Sequence, residues 1–456
     1  GPRSALFTPF PNLGLIVIDE EHEPTYKSEQ TPRYHARETA LRRAQTEGAS
    51  VVLGSATPSM EAMYRAKNGE YVLMEMKNRS KMQDPAEVYT VDMRKELKNG
   101  NRSILSEQLQ RLMKERLEKK EQTMLFLNRR GYSGFVSCRA CGHVLKCPHC
   151  DVSLSEHNNG RLLCHYCGYE TVKPQACPVC GSPYIGGFKA GTQQIEQVLH
   201  KNFPKARILR MDYDTTRAKG SYEKILSSFA AHAADILVGT QMIVKGHDFP
   251  AVTLVGVLAA DLSLSMSDYR AGERTFQLLT QAEGRASRPG EVVIQTYQPD
   301  HYSIQYAARQ DYEGFYKEEL TYRQLLSYPP ASHILAVQFY SKKQEEALAG
   351  AQEAASYVRQ VTQARQFTQQ MSGTVQIPTP ATTHNAAGAA LPDTIVIGPA
   401  PALIGKINDV YRYGIYLKNH DYEKLVELKD GIEQMRSLPQ RQKALCQFDF
   451  DPVHSF

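Results

Sequence analysis

Two groups of residues in this 456-residue chain have the types and spacing to do chemistry. The first is four Cys-x-x-Cys pairs, Cys138/Cys141, Cys147/Cys150, Cys164/Cys167 and Cys177/Cys180, within 43 residues. Each pair offers two thiolates to one ion, and two pairs close a tetrahedral four-cysteine site of the kind that holds zinc. Two zinc ions are therefore expected, with disulfides as the competing chemistry that an intracellular chain disfavours. Four pairs combine in three ways. Joining Cys147/Cys150 to Cys164/Cys167 encloses a hairpin-length loop and leaves Cys138/Cys141 and Cys177/Cys180 to close around it. The second group is Asp19-Glu20-Glu21-His22, directly after the apolar run Leu15-Ile16-Val17-Ile18. That run reads as a fully buried parallel strand, so the acids fall at its carboxyl end, where open α/β sheets place ligand chemistry. Asp19 suits a magnesium ion on nucleotide phosphates, and Glu20 suits orienting or deprotonating a water. A solvated acidic turn is the plain alternative.

A second apolar run, Val51-Val52-Leu53, opens into Gly54-Ser55-Ala56-Thr57-Pro58-Ser59. Small hydroxyl residues on a strand exit, with Pro58 placed to start a helix, suit a joint that senses one site and moves another. Between the two runs, residues 22–37 alternate aromatic and basic side chains: Tyr26, Lys27, Arg33, Tyr34 and His35. Rings stack on unpaired bases and cations take phosphates, so this loop suits single-stranded nucleic acid, although tyrosines packed on their own domain would look the same. Further on, Asn128-Arg129-Arg130-Gly131-Tyr132 reads equally as a phosphate grip or as a solvated loop. Strand 235–238 leads into Gly239-Thr240-Gln241, then Lys245, Gly246 and Asp248, of which Gly239, Lys245, Gly246 and Asp248 are candidate nucleotide contacts. A helix near residues 273–286 carries Gln281, Gly284 and Arg285, with Arg288 about one turn beyond. Two arginines so spaced reach one charge, as in an arginine finger.

Asp-Glu-x-His followed by Ser-Ala-Thr is the paired signature of superfamily-two helicases, and this chain resembles them. Gly1-Pro2-Arg3-Ser4-Ala5-Leu6-Phe7 before the signature and Arg33-Tyr34-His35-Ala36-Arg37 after it narrow the resemblance to the primosomal protein N′ family of replication-restart helicases. The resemblance implies a 3′-to-5′, ATP-dependent DNA helicase that recognises stalled or abandoned forks and initiates primosome assembly. It implies that Asp19, Glu20, His22, Gln281, Arg285 and Arg288 serve catalysis with ATP and magnesium. It implies that the 22–37 loop couples DNA binding to hydrolysis, and that the zinc pairs nest. Forked and single-stranded DNA, a single-stranded DNA-binding protein, other primosome proteins and the loader of the replicative helicase are the implied partners. The chain departs from the family pattern at Glu283, where a small residue is usual, and at Ser287, where glycine is usual. A non-enzymatic zinc-bearing scaffold for DNA or protein is the alternative of a different class. A restriction-type translocase would share the motor motifs without needing the four cysteine pairs.

The elements that must position these groups follow from pattern. Strands alternating with helices predict a parallel sheet, and the resemblance implies an α/β fold with RecA-like parallel-sheet lobes, the first incomplete, an inserted two-zinc module and a small α+β C-terminal domain. The expected boundaries are 1–118 for the first lobe, 119–300 for the second with a cysteine-rich insertion at 137–182, and 301–456 for a connecting helix and the last domain. Residues 361–393, rich in Gln, Thr, Ala and Pro, read as a flexible insertion. Tyr411, Arg412 and Tyr413 suit DNA binding or strand packing alike. Apolar residues make up 41% of the chain, ample for real cores, and no apolar run approaches the ~18 residues of a membrane span, so a cytoplasmic protein is expected. The formal charge is +5; two zincs, each on four thiolates, would bring it to about +1, so local placement must carry any case for nucleic acid. Four basic and three acidic residues between Cys138 and Cys180 make the zinc-loaded segment net negative, which suits a structural role or a surface for base edges, strand separation or protein partners. His143, His149, His157 and His165 read as solvated or as supporting the ligands. The sequence contains no Gly-x4-Gly-Lys-Ser/Thr loop, and only 14 residues precede the first strand. The chain is therefore expected to be the downstream part of a longer protein, with an uncovered sheet edge where its first lobe is incomplete.

Overall fold

The computed structural model describes residues 2–76, 86–127, 136–149, 152–156, 161–165, 167–186, 191–218, 220–244, 249–264, 268–287, 290–371, 394–437 and 443–453. Two compact units result. The first comprises Gly1–Met74, His165–Gly168 and Leu320–Phe456; the second comprises Glu75–Cys164 and Tyr169–Glu319.

In the first unit, the strand Leu15–Asp19 pairs in parallel with Ser50–Gly54, aligning Asp19 with Gly54. Both runs are β-branched and apolar, which suits a covered parallel sheet. The expected full burial is not found. Ile18 is 4% exposed, but Leu15 and Val17 are 54% and 61% exposed, because one face of this two-stranded sheet has no cover among the described residues. The helix Ala36–Glu47 runs from one strand toward the other, and Gly48 ends it in the left-handed region at φ 71°, the usual cap where a Cβ would be strained. Four strands between residues 333 and 450 pair into an antiparallel sheet in the order Ile395–Ile407, Val410–Asn419, His333–Ser341, Leu445–Phe450. Leu335, Val337 and Phe339 alternate onto one face and pack on Ala351, Ala354 and Val358 of the helix Gln344–Met371 and on Leu425 and Leu428 of the helix Tyr422–Arg436. The expected flexible insertion at 361–393 thus begins too early. Residues 361–371 complete a helix, as their Ala, Gln and Arg content favours, and 372–393 lie outside the described residues.

The second unit is built on six parallel strands in the order Ile208–Met211, Ile236–Gly239, Gln122–Leu127, Val252–Leu258, Glu291–Thr296, Glu87–Asp92. Gln122–Leu127 and Ile236–Gly239 are buried throughout. The helices Glu107–Glu118 and Thr192–Asn202 cover them with Leu109, Leu112 and Met113 and with Ile195 and Leu199. The boundary expected after residue 118 differs from this pairing. Glu87–Asp92 extends this sheet along Glu291–Thr296, residue for residue, instead of joining the strands at Leu15 and Ser50. The cysteine-rich segment adds two small antiparallel sheets, Ser137–Cys138 with Ile185–Gly186, and Ser155–Glu156, Arg161–Leu163 and Glu170–Val172. No helix among the described residues is long and apolar enough to cross a membrane.

Candidate functional site

The acidic cluster divides by direction. Asp19 and Glu20 are exposed, while Glu21 is 3% exposed. Asp19 Oδ1 accepts the Glu20 amide at 3.0 Å. Glu20 itself has φ 47°, a left-handed conformation that costs a non-glycine residue on the order of 1–3 kcal/mol and is commonest at functional sites. The turn leaves two carboxylates open at a strand end and sends the third inward. Glu21 Oε1 accepts the Ser59 amide at 2.6 Å, and its Oε2 accepts the Ser59 hydroxyl at 3.0 Å and Arg37 at 3.2 Å. Ser59 also caps the helix Met60–Lys67 through the Ala62 amide. Glu21 therefore fixes the Ser-Ala-Thr turn and the helix after it. Sequence reasoning missed this role and those of Arg37 and Ser59; the signal was Ser59, an N-cap residue before Met60.

His22 joins the two motifs. Its Nδ1 is hydrogen-bonded to Ser55 Oγ at 2.6 Å and lies 3.5 Å from Glu20 Oε2, and Ser55 Oγ accepts the Thr57 amide at 3.0 Å. One nitrogen thus lies against both Glu20 and the Ser-Ala-Thr turn, so a change at either alters its contact with the other.

The 22–37 loop is pinned at its base by a Lys27–His35 bridge and by the Ser28 amide donating to the Tyr34 carbonyl at 2.8 Å. Arg3 donates to the carbonyls of Thr25 and Lys27, the Phe7 ring meets Tyr34 edge-on at 5.1 Å, and the Tyr26 hydroxyl donates to the Asp19 carbonyl at 2.6 Å. His35 caps the next helix by accepting the Arg37 amide; burial, helped by the Arg37 charge, lowers its pKa to about 3. The two cations expected on phosphates have protein partners. Lys27 Nζ lies 2.9 Å from Asp449 Oδ1 and donates to the Phe450 carbonyl at 2.7 Å. Arg33 lies 3.2 Å from Asp449 Oδ2 and donates to the side-chain oxygens of Gln338 and Gln447, both at 3.0 Å.

In the second unit, Gly239 ends a strand at a close approach. A Cβ there would stand 2.6 Å from the Met211 carbonyl. Lys245, Gly246, Asp248, Arg288 and the Arg129-Arg130-Tyr132 turn lie outside the described residues. Gln281 is on the helix Ala271–Glu283, which ends earlier than the expected 286, so Arg285 stands on the turn after it. Ser287 uses its hydroxyl to hold the Phe249 carbonyl at 2.7 Å. Glu283 is 3% exposed, and burial pushes its carboxyl up to about 8. In the C-terminal sheet, Tyr411 faces Lys406, Arg412 lies over Tyr340, and the Tyr413 hydroxyl accepts from Gln344.

The cysteines gather in two clusters. Cys138, Cys141, Cys177 and Cys180 place their sulfurs within 4.8 Å of one another, with Cys138–Cys180 and Cys141–Cys177 at 3.6 Å. A tetrahedron of sulfurs ~2.3 Å from zinc has edges of about 3.8 Å, so the donors fit that ion. Cys147, Cys164 and Cys167 form the second cluster, and Cys150 lies outside the described residues. The turns explain the gathering. Gly142, Gly168 and Gly181 each follow a second cysteine and adopt φ 79°, 79° and 68°, which lets the chain double back. The Cys138, Cys164 and Cys177 amides then donate to the carbonyls of His143, Tyr169 and Ser182. Of the histidines, His165 is buried and bonded to the Pro401 carbonyl at 3.3 Å, and His149 meets Tyr169 edge-on.

Comparison with known proteins adds the family. Residues 324–453 match the primosomal protein N C-terminal domain, 147–171 the cysteine-rich region domain of the PriA DNA helicase, and 187–290 the helicase conserved C-terminal domain. The replication restart protein PriA of Bacillus subtilis (strain 168) is 46% identical over 457 residues, covering 99% of this chain and 53% of that protein. The chain belongs to the primosomal protein N family. Family members of the same name from Synechocystis and Chlamydia trachomatis are 43% and 39% identical, over 95% and 100% of this chain and 50% and 58% of theirs. The chain thus spans about half the length of the curated family members it matches. Among solved structures, RecG bound to a three-way DNA junction aligns with a TM-score of 0.36 at 13% identity, over 69% of this chain and 30% of that one.

Proposed function

We propose that this chain supplies hydrolytic and zinc-bearing parts of an ATP-dependent DNA helicase that moves 3′-to-5′, recognises stalled or abandoned replication forks and initiates primosome assembly. Asp19 would hold the magnesium ion of ATP, and Glu20 would orient the attacking water. Gln281, Arg285 and Arg288, with Gly239, Lys245, Gly246 and Asp248, would serve the nucleotide from the second lobe. Bound ATP supplies the free energy of strand separation, and magnesium neutralises its phosphates. Two zinc ions would hold the cysteine-rich module, on Cys138, Cys141, Cys177 and Cys180 and on Cys147, Cys150, Cys164 and Cys167. Forked and single-stranded DNA, a single-stranded DNA-binding protein, primosome proteins and the helicase loader would be the partners, in the cytoplasm.

The observation that carries this reading is the His22–Ser55 hydrogen bond, which ties an exposed acid pair at a strand end to the Ser-Ala-Thr turn. A zinc-bearing scaffold accounts for the cysteine clusters but gives no reason for that bond or for the strained Glu20. The test is Ser55→Ala in this sequence extended upstream by a phosphate-binding loop. DNA-free ATP turnover should stay within about threefold of the parent, while the DNA-stimulated increment falls roughly tenfold, the upper end of what one lost hydrogen bond costs. Unchanged stimulation by DNA would remove the joint from the mechanism.

A further inference from the structure

Lys27 and Arg33 meet one carboxylate. Asp449, 6% exposed and near the end of the edge strand Leu445–Phe450, takes Lys27 on Oδ1 and Arg33 on Oδ2. Lys27 is itself 8% exposed, and the Arg33 side chain 13%. The sheet offers more than the charge: the Phe450 carbonyl accepts from the ammonium, and the side-chain oxygens of Gln447 and of Gln338 on the neighbouring strand accept from the guanidinium. These are the only two cations of the 26–35 stretch. A lysine or arginine so engaged cannot also neutralise a phosphate, because its charge is already met by the carboxylate.

We propose that Asp449 is a latch on the loop, a carboxylate that nucleic-acid phosphate must displace before Lys27 and Arg33 bind a single strand. The inference rests on the assignment of the loop to single-stranded DNA. Phosphate carries the same sign and the same acceptor oxygens as the carboxylate, so it exchanges for Asp449 without leaving either cation unpaired. Loop docked on the sheet and loop bound to DNA are then alternative uses of the same two side chains. The C-terminal sheet thereby sets how much DNA is needed to lift the loop, and the Tyr26 hydroxyl on the Asp19 carbonyl gives the lifted loop a direct mechanical link to the acid cluster.

The test is binding of fluorescein-labelled oligothymidylate to the zinc-loaded chain, followed by anisotropy between about 50 and 200 mM salt. Asp449→Asn removes the competing charge and keeps the shape. It should bind roughly fivefold more tightly, the worth of one partly screened ion pair. The slope of log affinity against log salt should steepen by roughly 0.7 to 1.4, one to two single-strand phosphates no longer offset by the carboxylate. Gln447→Glu, which adds a second carboxylate beside Arg33, should act in the opposite sense and weaken binding several-fold. A purely structural Asp449 would give weaker binding with Asp449→Asn and no steepening, and that result overturns the latch. The double substitution Lys27→Gln, Arg33→Gln separates the two ideas. If it weakens binding while Asp449→Asn does not tighten it, the loop reading stands and the latch falls. If it binds as the parent does, the loop reading itself falls, and the latch with it.

Discussion

Glu283 is an acid buried at the end of its helix, and burial holds its carboxyl near 8 instead of 4.5. Below pH 4.5 it is neutral in the folded and unfolded chain alike. As pH rises toward 8, the unfolded chain gives up the proton and the folded chain keeps it, so folding stability falls through that window. Glu283→Gln should therefore gain stability relative to the parent on going from pH 5 to pH 8, on the order of a few kcal/mol. Denaturant melts of both proteins at the two pH values check this; a parallel pH dependence would mean the carboxyl ionises in place. His35 gives the companion prediction. Its folded-state pKa near 3 lies below the ordinary 6.5, so its contribution is complete above 6.5 and declines as pH falls from 6.5 toward 3. Protection of the 27–35 amides, relative to their intrinsic exchange rate at each pH, should fall over that range, and His35→Asn, which keeps a cap acceptor, should flatten the response.

At the same scale, the strand-end position of Asp19 and Glu20 was legible from the apolar run before them, and the gathering of the cysteines from their spacing. Glu21 was not. Its neighbours in sequence are charged, and only the fold reveals that it turns inward to Ser59 and Arg37. The partners of Lys27 and Arg33 were equally out of reach, since Asp449 lies more than 400 residues away and an Asp on an edge strand has no pattern of its own.

The cysteine module is the element whose structure depends most on something other than its own packing. Its strands are two or three residues long, too short to hold themselves together. Metal binding is then folding free energy for this segment. Metal analysis of the purified chain should give two zinc ions, and removing them with a chelator should abolish amide protection across 136–186 while the strands Gln122–Leu127 and Val252–Leu258 keep theirs. A zinc content of one or none, or protection that survives chelation, would contradict this. The repeated Cys-x-x-Cys-Gly at 138–142, 164–168 and 177–181 was available in the sequence, and its left-handed glycines give the turns a physical reason. Two element assignments failed for equally physical reasons. Glu87–Asp92 alternates like any edge strand, and nothing local says which sheet it joins. The run after residue 361 combines helix-favouring Ala, Gln and Arg with the polar composition of a linker.

For the whole molecule, the parallel sheet of the second unit followed from alternating strand and helix patterns and the small α+β C-terminal domain from the resemblance, while the order of the strands in either sheet was not legible, because long-range pairing leaves no local pattern. The exposed Leu15, Val17 and Val52 mark a sheet face without cover among the described residues, in a chain that spans about half of its curated relatives. The proposed function stands or falls on Glu20 serving ATP hydrolysis in a DNA-stimulated motor. The most direct measurement is ATP turnover, with and without forked DNA, by this sequence extended upstream by a phosphate-binding loop, comparing the parent with Glu20→Gln. The account predicts that DNA-stimulated turnover falls about a hundredfold or more, while zinc content and DNA affinity are unchanged. Turnover within a few-fold of the parent would contradict it and leave a zinc-bearing scaffold as the better description.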